Sequence, residues 1–238
     1  MARYGRKVNN SGLSAGAKIG IAVAAAAVLV GIILAIVLTP SNSDTPGTGN
    51  TGSGTDTVVH LVSGGDVNVT DKVVNAGGSN YDYSKVFLDV MPILSGGDLT
   101  TLNFEGNLYE EPYGTEHNSA PVELVKALRD SGVDILQTAN SKSVANGILG
   151  LTATLDGIRI AGLQSVGTYA SLEQFQRYQG FVIREVNGIR IAITAFTKGM
   201  DGMGLPADNC VNLLYKDYNS NYQQIDKDRI TSILKSVE

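Results

Sequence analysis

The stretch Leu99–Asn140, LTTLNFEGNLYEEPYGTEHNSAPVELVKALRDSGVDILQTAN, decides the fold. Leu99–Phe104 is a short apolar and β-branched run that closes on Asn103-Phe104-Glu105-Gly106, and it reads as a strand. Pro121–Ser131 follows with Val122, Leu124, Val125 and Leu128 on one side of a helix, and Gly132 supplies the stop. Val133–Thr138 is the next strand and runs into Ala139-Asn140-Ser141. A strand, a helix and a strand of these lengths imply parallel pairing through a right-handed crossover.

Working outward, the same alternation continues. Val58–Val62 is a β-branched run ending in Ser63-Gly64-Gly65-Asp66, and Ser84–Leu94 carries Val86, Phe87, Val90, Ile93 and Leu94 at helical spacing before Gly96-Gly97. Downstream, Asp156-Gly157-Ile158-Arg159-Ile160-Ala161 nearly duplicates Asn187-Gly188-Ile189-Arg190-Ile191-Ala192. The second copy has Asn-Gly between two β-rich runs and reads as a hairpin. The first follows a helical run from Ile148, and local pattern alone leaves it open. Asp226–Val237 is a final helix with Asp226 as its N-cap. An α/β domain usually adds another strand after such a helix, so the sheet is expected to be incomplete.

The N-terminal quarter has a different composition. Ile19–Leu38, IGIAVAAAAVLVGIILAIVL, has no charged, proline or polar side chain. At ~1.5 Å per residue it matches the roughly 30 Å of a bilayer core, and it is longer than the apolar part of a cleavable signal peptide. One transmembrane helix is therefore expected at 19–39. Arg3, Arg6, Lys7 and Lys18 precede it in a basic tail, 1–18, that has no acidic residue, which puts the N-terminus in the cytoplasm and the main domain outside. A Gly/Ser/Thr-rich linker, 40–56, then leads to an outer domain at 57–238. The whole chain carries a net charge of −5, so the part beyond the basic tail is more acidic still and does not suit nucleic acid. Cys210 is the only cysteine, which excludes a disulfide framework and a cysteine-ligated zinc site.

In a parallel α/β sheet, ligands gather beyond the carboxyl ends of the strands. Asp66, Glu105 and Asn140 fall there in three successive units. Two carboxylates and an amide oxygen would make a hard divalent-metal site. The same residue types also serve as ordinary strand-end turn residues, and spacing leaves both readings standing.

Five collinear segments resemble the CapA family of poly-γ-glutamate capsule synthesis: Gly65-Asp66-Val67, Asn103-Phe104-Glu105, Val133–Asn140, Gly150–Leu155 and Glu185–Ala192. The resemblance implies a metallophosphatase-like layered α/β sandwich related to the calcineurin-like phosphoesterases. It also implies metal-binding roles for Asp66 and Glu105, with one or two divalent ions activating water. The family's third motif reads Asn-Asn-His with an Asp three residues after the His. Here Asn140 is kept, Ser141 and Lys142 replace the other two, and Ala145 replaces the Asp. The family's later histidine motifs would fall beyond Glu238. An ammonium replaces imidazole chemistry poorly, although Lys142 can hold a phosphate as a point charge.

His117, in the polar loop Glu110–Asn118, is a candidate substrate contact beside Lys142, with a solvated loop as its ordinary role. Lys198 and Asp201 lie in a loop after a strand and are candidates to meet an anionic polymer. No catalytic residue is singled out. The expected function is a membrane-anchored, extracellular CapA-like protein working with the capsule assembly machinery. If active, it is a metal-dependent phosphoester hydrolase with impaired catalysis. The alternatives are a non-catalytic surface module that binds an anionic wall polymer or an assembly partner, and a fragment of a longer chain.

Overall fold

The computed structural model describes residues 57–237. Four parallel strands form one sheet in the order β1 (Leu61–Asn68), β2 (Leu99–Glu105), β3 (Ile135–Gln137) and β4 (Gln164–Val166). Helices α1 (Asp71–Ala76), α2 (Met91–Leu94), α3 (Val122–Asp130) and α4 (Gly147–Ile160) lie between these strands in the chain. Beyond β4 come α5 (Leu172–Tyr178), an antiparallel hairpin of β5 (Phe181–Val186) and β6 (Ile189–Thr194), and α6 (Lys227–Lys235). This is a mixed α/β architecture with a parallel sheet, which fits a metallophosphatase-like fold. Among the described residues no helix is long and apolar enough to cross a membrane. The basic tail, the apolar run Ile19–Leu38 and the linker all lie outside the described residues.

Strand alternation explains why the central strands are buried on both faces. Leu102 and Phe104 of β2 and Leu136 of β3 pack with Leu124, Val125 and Leu128 of α3. Leu99 and Ile135 point the other way, into a second cluster with Leu151 and Leu155 of α4 and Ile191 and Ile193 of β6. The sheet is thus a layer between two apolar clusters.

Five elements depart from the sequence reading, two by their bounds and three by having no counterpart in it. The first strand starts at Leu61 and runs through the Gly-Gly segment to Asn68, with a register shift against β2 between Ser63 and Asp66. Glycine permits this close approach, because a Cβ at Gly64 would lie 2.2 Å from Leu102 Cδ2. Asp66 therefore sits within the strand, two residues before its end. The predicted helix Ser84–Leu94 contracts to Met91–Leu94, since Pro92 has no N–H to give a preceding turn. Its apolar residues Val86, Leu88, Val90 and Ile93 stay exposed. Helix α1, strand β4 and helix α5 had no counterpart in the sequence reading. The first DGIRIA copy closes α4, whereas the second turns at Asn187 and Gly188, both with positive φ, into β6. Asp226 caps α6 as expected, accepting from the Arg229 amide at 3.2 Å.

Asn212 ties the hairpin to the end of β4. Its Nδ2 donates to the carbonyls of Gly180 and Ala195 at 3.0 and 3.1 Å, and its backbone N–H donates to Gly167 O at 2.8 Å. Gly167, just after β4, has φ 105°, and a Cβ there would lie 2.6 Å from that of Ala139 and 3.1 Å from that of Ala195. Gly167→Ala combines a left-handed backbone with a clash, and should lower stability by roughly 2–4 kcal/mol in denaturant unfolding. Tyr169, 3 % exposed, lies in the same corner, and burial pushes its phenol up from 10.0 to about 12. The neutral phenol is favoured in the folded state, so its contribution is intact below pH ~10 and disappears as pH rises towards ~12. Tyr169→Phe should therefore remove a component of alkaline destabilisation on the order of 2 kcal/mol, read from unfolding at pH 9 and pH 11.5.

Candidate functional site

The site forms where β1 and β2 end and the chain leaves β3. Asp66 is paired in register with Asn103, and Asn68 with Glu105. The period of two along β2 puts Asn103 and Glu105 on one face, and Asp66 joins that face through its bond from Asn103 Nδ2 to Oδ1 at 2.8 Å. Asp66 is exposed, Glu105 half-buried and Asn103 buried.

Asn140 enters from the turn after β3 and is 3 % exposed. Its Nδ2 donates to Asn103 Oδ1 at 3.1 Å and to the Phe104 carbonyl at 2.7 Å, while its Oδ1 accepts the Lys142 backbone N–H at 3.0 Å. The next residue, Ser141, donates its hydroxyl to Glu105 Oε1 at 2.6 Å, a short bond of the charge-assisted kind. The turn itself is held by Ser143, whose Oγ accepts the Asn140 N–H at 2.8 Å and lies 2.6 Å from the Thr138 carbonyl. Asp66, Glu105 and Asn140 thus belong to one polar assembly of three neighbouring chain segments.

The other two candidates stand differently. Lys142 Nζ pairs with Asp201 Oδ2 at 2.6 Å, and both side chains are partly exposed. His117 has an exposed side chain, and it is tied to this region only by its carbonyl, which accepts Asn146 Nδ2 at 2.9 Å. Asn107 completes that link, its Oδ1 accepting the Asn146 N–H at 3.0 Å and its Nδ2 donating to Ser143 O at 3.2 Å.

The donor set fits a hard, partly hydrated cation. Asp66 and Glu105 each have one oxygen held by a protein donor, and among the described residues no donor bonds Asp66 Oδ2 or Glu105 Oε2. Among the described residues there is also no group of three or more His, Cys, Asp and Glu side chains placed to hold a metal ion. The neighbouring amide oxygens, Asn103 Oδ1 and Asn140 Oδ1, already accept protein hydrogen bonds, so an ion held by the two carboxylates would be a Mg²⁺- or Mn²⁺-like one that keeps several waters, rather than a closed zinc site.

Sequence reasoning missed Asn103, although strand alternation from Glu105 would have put it on the site face. It also missed Ser141 as the partner of Glu105, and Asn107. Asp201 was considered only as a polymer contact, and nothing local signals that it pairs with Lys142 59 residues away.

The family model of the bacterial capsule synthesis protein PGA_cap matches residues 60–238. The chain belongs to this family. It is 32% identical over 133 residues to the capsule biosynthesis protein CapA of Bacillus anthracis, covering 53% of this chain and 31% of that protein. To the PGA biosynthesis protein CapA of Bacillus subtilis (strain 168) it is 30% identical over 127 residues, covering 51% of this chain and 33% of that protein. The matches thus span about a third of the length of these curated CapA relatives. Membership agrees with the resemblance seen in the five segments.

The Lys142–Asp201 pair is solvent-screened on both sides, so its removal tests how far it holds the turn. Asp201→Asn should change stability by less than about 1 kcal/mol in thermal unfolding, and by less again at 1 M salt.

Proposed function

We propose that this chain is a single-pass, membrane-anchored CapA-like protein whose outer domain serves capsule or poly-γ-glutamate assembly. In this reading the domain has a metallophosphoesterase-like fold and weak or absent hydrolytic power. The observation that carries it is the pair of carboxylates, Asp66 and Glu105, on one face at the ends of neighbouring parallel strands. Each is oriented by one protein hydrogen bond. The basic residues before Ile19–Leu38 support a cytoplasmic N-terminus and an extracellular domain.

Asp66 and Glu105 would hold a divalent cation, which when bound supplies positive charge against a phosphoryl oxygen and acidifies a water. Asn103 and Ser141 orient the two carboxylates. Lys142 offers a point charge, but its ammonium is shared with Asp201 and does not shuttle protons as an imidazole does. Impaired catalysis follows from this substitution. The same ion pair, which keeps Lys142 out of proton transfer, favours as a second reading a non-catalytic module that binds an anionic wall polymer or an assembly partner.

The test is the divalent metal content of the full chain purified in detergent, by elemental mass spectrometry. It should be near one ion per chain and should vanish in the Asp66→Ala/Glu105→Ala double variant, while phosphodiester turnover stays close to background. A folded wild-type chain without metal would sink the metal reading. Polymer binding by that chain, unaffected by chelator, would leave the binding module.

A further inference from the structure

We propose that Asn103 is the positioning residue of the site. It passes a hydrogen-bond polarity set by the backbone at Phe104 and Lys142 on to Asp66, holding Oδ1 and leaving Oδ2 to a ligand. The inference rests on the reading of Asp66 as a cation ligand and adds how that carboxylate is aimed.

The argument starts from two groups with no choice of role. The Lys142 N–H can only donate, and the Phe104 carbonyl can only accept. They lie 3.0 Å from Asn140 Oδ1 and 2.7 Å from Asn140 Nδ2, so the Asn140 amide has one orientation. Its Nδ2 then presents a donor to Asn103 at 3.1 Å, which requires the Asn103 oxygen on that side. The Asn103 NH₂ must therefore face β1, where it meets Asp66 Oδ1 at 2.8 Å. Each step removes one degree of freedom. Asn140 and Asn103 are 3 % and 6 % exposed, so water does not readily replace these partners. Asp66 is at the exposed end of the relay, and rotation about its side chain would otherwise cost little. An outer partner that fixes a carboxylate in this way typically changes metal affinity by about 10–100-fold.

The sequence explains why asparagine is needed twice. Each position must accept on one side and donate on the other, which a carboxylate cannot do. Aspartate at 103 could still accept from Asn140, but it would set a second carboxylate against Asp66. Exchanging the two residues, as Asp66→Asn/Asn103→Asp, restores a donor facing an acceptor at every contact. The carboxylate then sits at 103, where Asn140 and the new amide engage it.

The experiment uses the full chain in detergent, with Mn²⁺ binding followed by electron paramagnetic resonance and stability by thermal unfolding. Asn103→Ala should weaken Mn²⁺ binding about tenfold, and Asp66→Ala should abolish it. Asn103→Asp should lower Tm by several degrees or fail to fold. The exchanged double variant should recover a near wild-type Tm without recovering Mn²⁺ binding. A tenfold loss of Mn²⁺ affinity measured on folded Asn103→Ala, well below its Tm, is what a merely structural role for Asn103 would not produce, and the exchanged variant checks the donor–acceptor order. Unchanged Mn²⁺ affinity in Asn103→Ala, no recovery of Tm in the exchanged variant, or recovery of both Tm and affinity would each overturn the proposal. If the wild-type chain binds no Mn²⁺, the cation reading fails. The relay is then decided by the Tm arm alone, where recovery supports it and its absence overturns it.

Discussion

The site depends on one constraint: β2 and β3 are buried on both faces, so the polar groups where they end must find partners inside the protein. Phe104 and Leu136 are fully buried, and the Phe104 carbonyl has no route to water that would satisfy it. Asn140 supplies that partner, and the turn that carries it is shaped by Ser143 and Asn107 to deliver it there. A buried amide spent on a strand-end carbonyl also has a second hydrogen to place, and Asn103 receives it. The ordering of the carboxylates is thus a by-product of satisfying the core. It links packing to chemistry through Asn140, which serves the core and the site together.

Much of this was legible in the sequence where the signal was local. The parallel β2–α3–β3 unit follows from short apolar strands flanking an amphipathic helix, and the α3 face of Leu124, Val125 and Leu128 is buried as its spacing requires. The β5–β6 turn was legible because Asn-Gly tolerates two successive residues at positive φ. The near-copy DGIRIA shows the limit of such reading. In α4 its Gly157 packs tightly, a Cβ there coming 2.6 Å from Leu108 Cδ1, while Gly188 in the hairpin has nothing within 4 Å. The same letters are helix or turn according to what they pack against, which local periodicity does not contain.

What was not legible is long-range. The position of Asp66 inside β1 rather than beyond it depends on a bulge accommodated by Leu102 of the neighbouring strand. The apolar spacing of Val86, Val90 and Ile93 suggested a helix, but Pro92 limits it to a single turn and these side chains face solvent. The Lys142–Asp201 pair joins segments with no shared pattern. Asn103 was hidden for a different reason. It lies inside a strand whose buried neighbours make it look like an ordinary core position; alternation from Glu105 puts it on the site face, and its register opposite Asp66 shows which carboxylate it serves.

The electrostatics of the site follow from the same geometry. Two carboxylates on one face repel each other, and a protein relieves that by protonation, by a nearby cation or by a bound metal. Lys142 is the basic residue of the turn, and its ammonium is engaged by Asp201. The pair is therefore nearly neutral as a unit, and the Asp66–Glu105 face keeps its negative character. Asn103 and Ser141 each donate to one oxygen of these carboxylates and fix how they are turned. On the proposed reading, a face whose two carboxylates are oriented by hydrogen-bond donors and whose neighbouring turn lysine is paired with Asp201 would attract a cation from solution. It is poorly built to bind a polyanion directly, so a role beside an anionic capsule polymer would run through that cation.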